Sequence, residues 1–162
     1  MTRLSDGVTV AAGLVTALVV SSAGTTPALA AVAGTVLLLA GSYRAWAVGT
    51  KGGGMTVLAG VVYAGTLGLP PQALVVATIG AVVAWDGGVT AAGLTGQLDE
   101  QAASGRAELV HAGSTLVAAA GVGAVLVLTY AVGDGLVAPA AVVPVVAGAI
   151  LVAAGLSPRT PG

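Results

Sequence analysis

The sequence predicts an all-α membrane protein with six transmembrane helices, readable as three helical hairpins, and three observations point there. The first is composition. Of 162 residues, 57% are hydrophobic and 7% charged, whereas an ordinary soluble domain is about a quarter charged. One small domain cannot bury nearly all of itself, because surface falls too slowly with size. The second is that apolar runs bounded by Gly, Pro or a charge recur six times, each near the roughly 20 residues that carry a helix across a hydrocarbon core. The third is the placement of the cations. If six helices alternate, Arg3, Arg44, Lys51, Arg106 and Arg159 share one side, an outcome expected by chance about once in sixteen, and the positive-inside rule makes that side cytoplasmic. Both termini then face the cytoplasm, in a cell membrane.

The expected spans, in order, are about 4–22, 27–47, 54–69, 71–94, 110–132 and 137–156 in a single transmembrane domain covering 1–162. The first has Arg3 before it and SSAGTTP after it. Its charge, apolar stretch and Ala28-Leu29-Ala30 triplet imitate a secretory signal, but cutting there would discard Pro27, a favoured first-turn residue, so an uncleaved helix fits better. The second ends in Tyr43, Arg44 and Trp46, groups that favour the headgroup level. TKGGG, residues 50–54, reads as a turn, and the third run is stopped by Leu69-Pro70-Pro71. The fourth meets Asp86-Gly87-Gly88 directly after Trp85. Pro71 to Trp85 rises only about 22 Å, so the helix either continues past Asp86 or bends out at the double glycine. Gly133-Asp134-Gly135 separates the last two runs.

Small residues spaced by four recur: Gly13, Ala17 and Ser21; Gly60, Ala64 and Gly68; Gly80, Ala84 and Gly88. They let helix backbones approach closely. Thr9-Val10-Ala11-Ala12-Gly13 also resembles Thr56-Val57-Leu58-Ala59-Gly60, as though a hairpin had been duplicated in parallel.

Chemistry is scarce. With no cysteine and one histidine, thiolate metal sites, cysteine nucleophiles and nucleophile–base pairs are excluded, so neither an enzyme, a metal nor a cofactor is expected. Five basic residues against six acidic ones leave no stripe for nucleic acid. Asp86 stands out, because an acid at the centre of a span costs about 2.5–3.5 kcal/mol. Counted from Pro27 and Pro71, Arg44 and Asp86 fall at similar depth, so an Arg44–Asp86 ion pair between the second and fourth helices is the expected compensation. Tyr43, Trp46 and Trp85 are the expected interfacial aromatics.

The remaining charge is concentrated in Gly96–Gly113, GQLDEQAASGRAELVHAG, which holds Asp99, Glu100, Arg106, Glu108 and His111. Leu98, Ala102, Gly105 and Leu109 recur at helical spacing, and the acids lie near the start, where they complement the helix dipole. The reading is a cytoplasmic amphipathic segment over 96–112, lying on the inner face and available to a protein partner. Glu108 and His111 form a Glu-x-x-His pair, but the di-iron chemistry of that motif needs a second copy and two further glutamates.

The LDEQ at 98–101 followed by GRAELVHAG at 105–113 resembles uncharacterised small multi-pass membrane proteins of haloarchaea, a family of unknown function. The resemblance implies a setting beside a MoxR-type AAA ATPase and its von Willebrand-like partner, and it carries over no catalytic residue. The expected function is therefore a non-enzymatic membrane scaffold or accessory subunit docking a cytoplasmic partner through Asp99, Glu100, Arg106, Glu108 and His111. The alternative is a small transporter or channel using Asp86, which would need a homo-oligomer to supply enough polar helix surface for a pathway.

Overall fold

The computed structural model describes residues 4–44, 46–97, 110, 113–121 and 123–124. They form α1 (Leu4–Ser21), α2 (Thr25–Tyr43), α3 (Ala47–Thr66) and α4 (Pro71–Gln97), with a fifth helical stretch at 113–121. The connections follow from local chemistry. Gly24, at φ 147°, and Gly68, at φ 89°, turn the chain after α1 and α3 in a region that side chains disfavour. Leu74 N–H donates to Pro70 O at 2.9 Å, and Pro71 occupies the first helical position, where its missing N–H costs nothing. Between α2 and α3 the joint is tighter. Arg44 caps α2 and Trp46 precedes α3, and Trp46 N–H donates back to Gly41 O at 2.8 Å.

Antiparallel packing is set by glycines placed seven residues apart. On α2, a Cβ at Gly34 would lie 2.7 Å from Gly53 O and from Val57 N of α3, and one at Gly41 would strike Thr50 N. On α4, a Cβ at Gly80 would strike Thr16 Oγ1 of α1, and one at Gly87 would lie 2.6 Å from Thr9 Oγ1. A seven-residue contact repeat is the signature of shallow, left-handed crossing. The two helix pairs are thus built alike, α2 lying along α3 as α4 lies along α1, with α2 and α4 also touching. This register matches Thr50 to Thr9 as the residues opposite a glycine. The Thr56 of the sequence repeat sits elsewhere and bonds Gly52 O at 2.8 Å.

The core these contacts enclose is small-sided and hydroxyl-rich. Leu38, Val20, Val57, Val61, Thr9, Thr16, Thr50, Pro27 and Ser42 are its largest fully buried side chains. Each buried threonine spends its proton on a backbone carbonyl one turn back: Thr9 on Ser5 O at 2.9 Å, Thr16 on Ala12 O at 2.9 Å, Thr35 on Ala31 O at 2.8 Å. Burial therefore leaves these hydroxyls satisfied. Other bulky aliphatics point outward: Leu18 is 75% exposed, Leu29 68%, Val36 60% and Leu14 58%.

The structure corrects the expectation of six membrane spans. Among the described residues, two helices are long and apolar enough to cross a membrane, Thr25–Tyr43 and Pro71–Ala92, and Ser5–Ser21 is a shorter apolar helix. Part of the reason lies in α3. Residues 50–54, expected as a turn, are helical, so α3 starts at Ala47 rather than 54 and carries Lys51 and a run of glycines in its first half, which dilutes its apolar character. Glycine costs about 1 kcal/mol in a helix interior. Here packing offsets that cost, because Gly49 lies under the Trp46 ring, Gly53 against Leu38 N, and Gly54 under Trp85. For the same reason α2 ends at Tyr43 rather than 47. α4 runs unbroken through Asp86-Gly87-Gly88 to Gln97, since both glycines are contact positions rather than a bend. Of the expected 110–132 helix, residues 110, 113–121 and 123–124 are described. The 137–156 helix lies outside the described residues, as does the 96–112 segment apart from Gly96, Gln97 and Val110.

Candidate functional site

At one end of the bundle the start of α1, the end of α2, the start of α3 and the 85–88 stretch of α4 converge, and this end buries Ser5, Asp6, Thr9, Ser42 and Thr50. Asp6 lies in the first turn of α1, where the unpaired N–H groups of a helix favour an anion. It is 6% exposed. Ser42 Oγ donates to Asp6 Oδ1 at 3.3 Å and to its own Leu39 O at 2.8 Å. A hydroxyl has a single proton, so the shorter bond to Leu39 is the stronger and the Asp6 contact is shared. Ser5, Thr9 and Thr50 are buried nearby, with Gly87 set against Thr9 and Gly88 against Leu38 and Thr50.

Replacing Ser42 with alanine removes a donor from a carboxylate that water scarcely reaches. The expected result is a loss of about 1–3 kcal/mol in unfolding free energy, measured by denaturant titration, with Ser22→Ala, an exposed hydroxyl bonded only to Val19 O at 2.8 Å, near zero.

Asp86 lies on the flank of α4 and is half-buried. Its Oδ2 accepts a hydrogen bond from Thr115 Oγ1 at 2.7 Å, tying α4 to the fifth helical stretch. Further along the same seam, a Cβ at Gly123 would lie 2.7 Å from Ile79 Cδ1, so this stretch runs close along α4. Arg44, expected from sequence to face Asp86, is exposed at the C-cap of α2. Of the aromatics expected at the interface, Tyr43 is 63% and Trp46 48% exposed, whereas Trp85 is half-buried with its indole over Gly54 of α3. Asp99, Glu100, Arg106, Glu108 and His111 lie outside the described residues.

Sequence reasoning passed over Asp6, Ser42 and Thr115. The signal for the first pair was an acid one turn into an apolar run and a serine near the end of the next, which antiparallel packing brings level. For Thr115 it was a hydroxyl early in an otherwise apolar run. Among the described residues no three His, Cys, Asp or Glu side chains gather as a metal site would require. An open, mostly apolar groove of about 440 Å³ also lies between α2 and α3, bordered by Thr26, Met55 and Tyr63.

No curated protein and no solved structure matches the chain. A family profile does, over residues 1–153, and the chain belongs to that family, DUF7519, whose function is unknown.

Proposed function

We propose that the chain is a non-enzymatic, membrane-embedded helical bundle of the cell membrane, a scaffold or accessory subunit whose 96–112 segment docks a cytoplasmic protein. The observation that carries the membrane part is the set of large aliphatic side chains exposed around a core packed through small residues. Water would favour burying Leu18, Leu29, Val36 and Leu14, each worth about 1.5–3 kcal/mol inside, yet these are exposed while threonine, serine and glycine share the interior with Leu38, Val57 and Val61. Lipid removes that driving force, and helices then associate through small residues and close backbones. The two candidate spans, Thr25–Tyr43 and Pro71–Ala92, support the same reading. So does the resemblance of residues 98–101 and 105–113 to small haloarchaeal membrane proteins, which also supports an archaeal source.

Orientation follows the cations. Arg44 and Lys51 lie at the end that carries Asp6, and the positive-inside rule assigns that end, with the start of α1, to the cytoplasm. The 96–112 segment leaves α4 at this same end, on the side where a soluble partner would be met.

The test has two parts. The native protein is expected to stay with membranes through alkaline carbonate washing, and release into the wash overturns the membrane reading. A protein co-purifying in mild detergent is expected to be lost when Gln97–Glu108 is deleted. Its retention overturns the docking segment and leaves the membrane reading standing.

A further inference from the structure

We infer that the α2–α3 joint is a docking surface for anionic phospholipid headgroups, with Arg44 and Lys51 as the phosphate-facing cations and Trp46 and Tyr43 as the rings beside them. The inference rests on the membrane reading and adds which lipid that end selects.

The argument is one of sorting. At this end of the bundle the described carboxylates are withdrawn: Asp6 is buried against Ser42, and Asp86 is half-buried and holds Thr115. The cations point the other way, since Arg44 and Lys51 are both exposed. Around them lie exposed apolar groups, with Val48 70%, Tyr43 63% and Trp46 48% accessible. Positive charge outside, negative charge inside and an amphipathic aromatic collar form the surface that complements an anionic leaflet.

The backbone fixes that geometry. Because residues 50–54 are helical rather than a loop, Lys51 is held on α3 about one turn beyond Trp46, its neighbour Thr50 packed on Gly41 of α2. From there a lysine stem reaches the headgroup level while its methylenes stay in lipid. Arg44 is held by its N–H bond to Ala40 O at 3.3 Å, and Trp46 lies flat on Gly49. Both cations are thus anchored through the backbone, Arg44 at the cap of α2 and Lys51 within α3.

The experiment uses Trp46 as the reporter. The chain has two tryptophans, and Trp85→Phe leaves Trp46 alone. This variant is reconstituted into phosphatidylcholine vesicles containing a minor fraction of either phosphatidylglycerol or phosphatidylcholine brominated near the glycerol. Brominated phosphatidylglycerol is expected to quench Trp46 several-fold more effectively, since each basic residue near an anionic surface is worth about fivefold in local lipid affinity. Arg44→Gln with Lys51→Gln, which removes no buried group, is expected to abolish the excess, and so is high salt. Native mass spectrometry of otherwise wild-type protein, with and without the two Gln substitutions, gives the same comparison with Trp85 intact: more phosphatidylglycerol than phosphatidylcholine retained, and parity in the double variant. Equal quenching and equal retention overturn the headgroup inference while the membrane reading stands. Absence of quenching by either lipid overturns both.

Discussion

Valine at Gly34 is expected to prevent the bundle from forming, and alanine there to cost about 1–3 kcal/mol. The contact is backbone on backbone: a Cβ would lie 2.7 Å from both Gly53 O and Val57 N, so no rotamer change relieves it and α2 must move away from α3. Alanine should gain about 1 kcal/mol over glycine from helix propensity, and the overpacking must exceed this for the net effect to be a loss. Gly7 is the control, because nothing lies within 4 Å of its Cβ position, and Gly7→Ala should be neutral or stabilising by up to about 1 kcal/mol. Detergent-solubilised protein would be followed by thermal unfolding monitored by circular dichroism. The expected order of midpoints is Gly7→Ala at or above wild type, then Gly34→Ala, with no cooperative transition for Gly34→Val. A wild-type midpoint for Gly34→Ala would refute the packing register.

That register shows how far the sequence could be read. The all-helical class was legible because apolar runs end at Gly24, Pro70 and similar breakers, and α1 matches the expected helix bounds to within a residue at Ser21. Small-residue spacing was half legible. Gly13, Gly60 and Gly80 do lie in close contacts, against Thr35, Pro27 O and Thr16 in turn. However, Ser21 and Gly68, assigned to the same stripes, are exposed. With 26 glycines in the chain, spacings of four and seven both occur freely, and only the partner helix decides which one is used. The glycines at 52–54 misled for the same reason. Read alone they signal a turn, but a glycine tucked under Trp85 or against Leu38 N is a packing residue, and both neighbours come from other helices. The number of spans failed in part through that error, since a run of glycine and Lys51 that belongs to α3 lowers its apolar content. The candidate site was legible one residue at a time. Asp86 stood out because charge in an apolar run is costly, but the identity of its partner depends on which face of α4 meets the fifth helical stretch, and depth counted from Pro27 and Pro71 carries no information about faces.

The partner of Asp86 is therefore best settled energetically. A double-mutant cycle with Asp86→Asn and Thr115→Val is expected to give a coupling of about 1–2 kcal/mol: hydrogen bonds to charged groups are worth roughly 1.5–3 kcal/mol, while interhelical bonds within membranes average about 0.6 and reach about 1.7. The 2.7 Å separation and half-buried setting of Asp86 place this pair toward the upper part of the membrane range. A parallel cycle with Arg44→Gln is expected to give coupling near zero, because an exposed arginine at a helix cap gains little from a carboxylate through water and salt. Both cycles would be read from denaturant unfolding of the protein in one detergent, so that the unfolded reference is shared. Coupling to Arg44 above that to Thr115 would restore the ion pair expected from depth alone and would remove Thr115 as the tie between α4 and the 113–121 stretch. Coupling to Thr115 alone would make Asp86 a helix-fixing residue, held by a neutral hydroxyl. Asp86→Asn and Thr115→Val should then act alike, each lowering stability by a similar amount.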